Sequence, residues 1–128
     1  MRYFFLMFLA FLALPANADW THVVDNTIGG RSFIDVQTLK IKGNLRRVLE
    51  LQSWREPHSD GSHSMVYLME YDCNELTFRP LESSVHSGAM GNGLRIRSFP
   101  YDDQGKFDRV KPGTPSISLL NYVCTRNK

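Results

Sequence analysis

The stretch MEYDCNELTFRPLE, residues 69–82, decides the fold. Cys73 sits in it between an alternating apolar segment and a turn, and the chain's only other cysteine is Cys124, four residues from the C-terminus. Upstream, in SMVYLMEYD (64–72), Met65, Tyr67, Met69 and Tyr71 fall on one side of a strand and Val66, Leu68, Glu70 and Asp72 on the other. Downstream, ELTFRPLE (75–82) places Leu76 and Phe78 on one side, and Pro80 points to an edge position or a strand end. Cys73 therefore marks the end of a strand, and its partner must come from the far end of the chain.

The first residues bear on whether such a bridge forms. Arg2 precedes an apolar run from Tyr3 to Leu14, then Pro15 and Ala16-Asn17-Ala18. A basic start, a short apolar core and a small-x-small site make a secretory signal peptide, residues 1–18. The run is too short for a membrane span, which needs roughly 20 residues, and no cysteine follows the cleavage site to take a lipid anchor. The expectation is export to the periplasm, the outer surface or the medium. Removal of 18 of the 128 residues leaves 110, a single domain of residues 19–128. In an oxidising compartment two cysteines most simply form one disulfide. Cys73–Cys124 closes a loop of about 50 residues, for which chain entropy gives roughly 4 kcal/mol. A metal or redox role would call for C-x-x-C or nearby ligands, and neither cysteine has them.

Outward from residues 69–82 the chain reads as strands and turns. WTHVVD (20–25), RSFIDV (31–36) and RRVLELQSW (46–54) precede the alternating segment, and LRIRSF (94–99) follows it. Gly29-Gly30, Gly43-Asn44 and Asn92-Gly93 supply turn signals, the last that of a tight hairpin. In PGTPSISLLNYVC (112–124), Thr114 is an N-cap and Pro115 a first helical residue, and Ile117, Leu120, Val123 and Cys124 make one apolar stripe. A helix of about ten residues is marginal alone in water, so it needs the sheet beneath it. The fold class is α+β: a six-stranded antiparallel sheet with a short C-terminal helix packed on it and tethered by the disulfide.

These residues resemble the surface-adhesin protein E-like family of exported bacterial proteins. The resemblance runs through Trp20, Phe33-Ile34-Asp35, the basic turn from Lys40 to Gly43, Ser64, Tyr71-Asp72-Cys73, Arg79, Met90-Gly91 and Gly93. It ends in Phe107, Val110, Pro112-Gly113-Thr114 and Val123-Cys124. Phe107 stands where the family has Trp and Thr114 where it has Ser; both keep the physical role, an aromatic and a capping hydroxyl. The resemblance implies the same sheet, helix and disulfide, and adhesion to host extracellular-matrix proteins in its better-understood members.

No residue pattern points to catalysis. No G-x-S-x-G elbow, H-E-x-x-H helix or S-x-x-K motif is present, and both cysteines are consumed by the bridge. His58 and His63, with Glu56 and Asp60, could be read as metal ligands, but the spacing matches no closed site and the segment suits a polar loop. SGAMGNG (87–93) lacks the phosphate-loop spacing and YDDQGKFD (101–108) the calcium-loop pattern. No cofactor, metal or catalytic residue is expected.

A net charge of +2, falling to +1 without Arg2, gives no global pull toward nucleic acid or membrane. Basic residues do gather locally: Lys40, Lys42, Arg46 and Arg47 on one hairpin, and Arg95 and Arg97 on one side of a later strand. They read as a binding patch for a polyanion or an acidic protein, against the plainer reading of a solvated, edge-protecting face. The expectation is a non-catalytic binding module whose partner is a host matrix protein or an envelope protein. The alternative is a periplasmic structural component without a host ligand. Open sheet edges leave room for a homodimer.

Overall fold

The computed structural model describes residues 18–100 and 105–127. The expected signal peptide therefore lies outside the described residues except for Ala18. Strands β1 (Thr21–Asp25), β2 (Gly30–Lys42), β3 (Leu45–Trp54), β4 (Ser64–Asp72), β5 (Thr77–His86) and β6 (Arg95–Pro100) lie side by side in chain order, each antiparallel to its neighbour. A two-residue strand, β7 (Asp108–Arg109), adds to the start of β5. Helix α1 (Pro115–Cys124) packs against β1, β2 and β4.

The alternation in β4 sorts side chains as expected. Met69 and Tyr71 join Ile34 and Val48 under α1, where Leu119, Leu120 and Val123 close the core. Burying each such side chain stabilises by roughly 1.5–3 kcal/mol, enough to offset the cost of ordering a short helix. The Cys73–Cys124 disulfide ties the end of α1 to the turn after β4, with 5.7 Å between Cα atoms. Thr114 holds the N-cap position with extended backbone, but its hydroxyl donates to Lys111 O (2.6 Å) rather than capping the helix, so Pro115 supplies the start.

Several boundaries differ from the sequence expectation, each for a local reason. β2 runs on to Lys42 because a register shift between Asp35 and Lys40 absorbs the residues that break alternation. β5 begins at Thr77 and continues through Pro80 to His86. Pro80 is inside the strand rather than at its end, and on its outer side no described strand pairs with it, so it holds a local edge position. It sits at a bulge, where Met69 pairs with Pro80 and Leu68 with Glu82, and between the stretches of β5 that pair with β7 and with β6. A residue without N–H is tolerated where the outer ladder is interrupted.

Asn92-Gly93 does not form a two-residue hairpin turn. Ser87 and Leu94 close the loop instead, Ser87 N–H donating to Leu94 O and Leu94 N–H to Ser87 Oγ, both at 2.9 Å. Between them a single 3₁₀ turn, Ala89–Gly91, lies on the sheet face opposite α1. The N–H groups of Met90 and Gly91 donate to Ser53 Oγ (3.0 Å) and Ser64 Oγ (2.9 Å). Gly91 is at φ +75°, and a Cβ there would sit 3.3 Å from Val66 Cγ2; both facts favour glycine.

Candidate binding surface

Two layers of polar chemistry lie in this sheet, one on each side. Under α1, Glu50 is 1% exposed and accepts a hydrogen bond from the Tyr71 hydroxyl. Burial pushes its carboxyl up to about 7, although bonds from Tyr71 and Gln52 pull the other way. Burial and the facing carboxylate push the Tyr71 phenol up in turn.

On the opposite side, Lys40, Arg47, Glu70 and Arg79 occupy adjacent positions on β2, β3, β4 and β5. The Arg47 Nε and Nη2 donate to Glu70 Oε2 at 3.2 and 2.8 Å, and the Arg79 Nε and Nη2 to Oε1 at 3.0 and 2.8 Å. Burial alone would raise the Glu70 carboxyl, but the two guanidiniums outweigh it and hold it below the usual carboxylate range. Arg79 also donates to Gly105 O at 3.0 Å and lies over the Phe107 ring at 4.4 Å, which fixes it from outside the sheet. Around this row Lys40, Lys42, Leu45, Arg47, Glu70 and Arg79 line a groove of about 470 Å³. Four cations and one carboxylate leave it strongly positive. The Gly43 turn, at φ +58°, brings Lys42 beside Leu45.

The six expected patch residues are not brought together. Lys40, Lys42 and Arg47 share this groove. Arg46 belongs to the helix side of β3, where its Nη1 donates to Gly43 O (2.8 Å) and Leu45 O (3.2 Å) and its Nε is buried without a hydrogen-bond partner. Arg95 and Arg97 are at the other end of the sheet, since β6 pairs with the last residues of β5. Arg97 donates to Asp60 Oδ2 at 3.0 Å. Bonds from Ser62 and then from Arg97 hold Asp60 far below the usual carboxylate range. Arg95 stands opposite His86, whose imidazole is lowered by burial and by that charge.

Sequence reasoning missed Glu70 as the organiser of the groove. Its partners lie 23 residues before it and 9 after it, so no local motif announces them. Of the residues considered as metal ligands, His58 packs its ring on Trp54 at 4.1 Å. Among the described residues, no three His, Cys, Asp or Glu side chains gather as a metal site, and no helix is long and apolar enough to cross a membrane. A larger groove of about 620 Å³ lies between residues 25–31 and Met90, walled by Trp54 and Arg55. Its carboxylate, Asp25, is already held by His22 (2.6 Å) and Arg31 (3.5 Å), which leaves it less one-sided in charge.

The family model for surface-adhesin protein E matches residues 20–125. The chain belongs to the surface-adhesin protein E family. Crystal form II of Haemophilus influenzae protein E superposes with a TM-score of 0.59 at 13% identity, covering 87% of this chain and 94% of that one. Protein E from non-typeable Haemophilus influenzae gives 0.53 at 12% identity, covering 88% and 81%. At that identity the likeness is one of fold. No curated protein matches the sequence. The adhesin-family assignment makes protein partners the coarse expectation for this surface, and the disulfide-tethered helix on an antiparallel sheet is the shared scaffold.

Proposed function

We infer that this chain is an exported, non-catalytic binding module of the adhesin type that meets an acidic patch on a protein partner through the Lys40–Lys42–Arg47–Arg79 groove. The observation that carries the reading is the charge row on the open side of the sheet. Glu70 holds two guanidiniums in fixed positions, and two exposed lysines extend the cationic surface. Membership of an adhesin family supports a protein partner, from the host matrix or the cell envelope. Against catalysis stands the position of Glu50: the carboxyl raised to about 7, as a general acid or base would be, is only 1% exposed, on the side of the sheet that carries α1.

The test is binding of the purified protein to immobilised matrix proteins over a range of salt. Saturable binding that weakens with salt and falls severalfold in Lys40→Ser/Lys42→Ser is expected, while Arg95→Ser/Arg97→Ser binds as the wild type does. Binding indifferent to salt and to the lysine pair would overturn the role of the groove. Protease treatment of intact cells separates this reading from a periplasmic structural role. Cleavage at the surface supports adhesion, and protection inside the periplasm moves the partner to the envelope.

A further inference from the structure

Asp35, on β2 and on the open side of the sheet, is a carboxylate only 4% exposed. Its Oδ1 accepts the Gln37 N–H at 3.1 Å and its Oδ2 the Asp19 N–H at 3.3 Å. Among the described residues no Lys, Arg or His is ion-paired with it. Buried carboxylates ordinarily have a cation. Elsewhere in this protein Glu70, equally buried, has two.

The donor to Oδ2 is the nitrogen of the residue that follows Ala16-Asn17-Ala18. Hydrolysis of the Ala18–Asp19 amide by a signal-type peptidase consumes one water, leaves a carboxylate on Ala18, and releases the Asp19 nitrogen as an amine. That amine takes up a proton, because a free α-amino group has a reference pKa of about 7.7–8.0. The same atom that donates as a neutral amide to Asp35 then becomes a cation against it. The Asp19 side chain is turned the other way, its Oδ2 accepting from Gln37 Nε2 at 3.3 Å.

We propose that the α-ammonium created at Asp19 by leader cleavage is the counter-ion of buried Asp35, so that processing completes the open side of the sheet. The unprocessed chain folds with this carboxylate held by amides alone, and is the less stable of the two forms. Trp20, next in sequence, lines a surface groove together with Leu49 and Val66.

The full chain, produced with its own leader in an exporting bacterium, tests this in three readings. Intact mass should give a protein beginning at Asp19; any other first residue overturns the proposal. Next, one glycine is inserted between Ala18 and Asp19, which keeps an ammonium but displaces it from Asp35. In urea titrations this should lower the folding constant on the order of tenfold, as for loss of a charge-assisted hydrogen bond. In an Asp35→Asn background the insertion should change it less than about twofold. Equal losses in both backgrounds would overturn the pairing. Should Asp35→Asn not accumulate, the wild type alone decides: an α-amine-selective aldehyde should label Asp19 several-fold more slowly in native than in unfolded protein. Equal labelling would overturn the proposal.

Discussion

The Tyr71 hydroxyl donates to the Glu50 carboxyl beneath the C-terminal helix, so a titratable group sits inside the core that α1 closes. Its folded pKa, raised by burial to about 7, lies above the ordinary value of 4.5. The folded state therefore keeps a proton that the unfolded chain releases. Stability falls as pH rises from about 4.5 to about 7 and is flat above, for a total of about 3 kcal/mol from this group. Glu50→Gln keeps an acceptor for Tyr71 and removes the titration. The variant should match the wild type at pH 4.5 and exceed it at pH 8 by an amount of that order. Urea midpoints at both pH values check this, and a difference independent of pH would refute it.

Glu70 titrates in the opposite sense. Burial raises its carboxyl, but Arg47 and Arg79 lower it further, so its stabilisation is present above the usual carboxylate range and lost as pH falls through the depressed pKa. Glu70→Gln should cost about 2 kcal/mol at pH 7, short of the full figure for a buried pair because Arg47 is half exposed. The gap from wild type should narrow toward pH 3. The same variant makes the groove more positive, so it should elute later from a heparin column, a polyanionic probe. Earlier elution would count against the groove as the cationic surface.

Reduction of Cys73–Cys124 frees the end of α1. The expected loss is up to about 4 kcal/mol for a 51-residue separation. Cys73→Ser/Cys124→Ser should show a lowered urea midpoint and faster proteolysis within residues 115–124. An unchanged midpoint would mean that packing of Leu119, Leu120 and Val123 suffices without the tether.

Two glycines at positive φ should answer differently to alanine. Gly43 is at +58° with nothing within 4 Å of an added Cβ, so Gly43→Ala should cost about 1 kcal/mol, for backbone strain alone. Gly91→Ala adds a contact at 3.3 Å with Val66 and should cost more, about 2 kcal/mol, while loosening the Ser87–Leu94 loop. Thermal melts of the two variants side by side give the comparison.

Where periodicity ran unbroken the sequence was readable: β4 occupies the alternating residues 64–72, and α1 starts at the Thr114-Pro115 signal. Where a bulge intervenes, at residues 35–40 and 80–82, alternation slips and strand ends shift with it. Asn92-Gly93 misled because the loop's backbone is satisfied by Ser53 and Ser64 on other strands, which a local turn rule cannot see. The cationic site was half legible. Lys40, Lys42 and Arg47 share a hairpin, so their spacing gathers them, whereas Arg79 joins only through Glu70. Arg46 was lost to the other face by its odd position beside Arg47, and Arg95 and Arg97 by their place at the far end of the sheet.

Because strands β1 to β6 follow chain order and the cover of the sheet is the last element, the protein is unevenly tolerant of shortening. A chain stopped before residue 115 retains every strand and every ladder bond between them, yet bares Ile34, Val48, Met69 and Tyr71 together and leaves Cys73 as an unmated thiol. Such a fragment carries both an adhesive apolar surface and a reactive sulfur. Premature termination near the 3′ end of the coding sequence should therefore yield disulfide-linked aggregates rather than a weakened monomer.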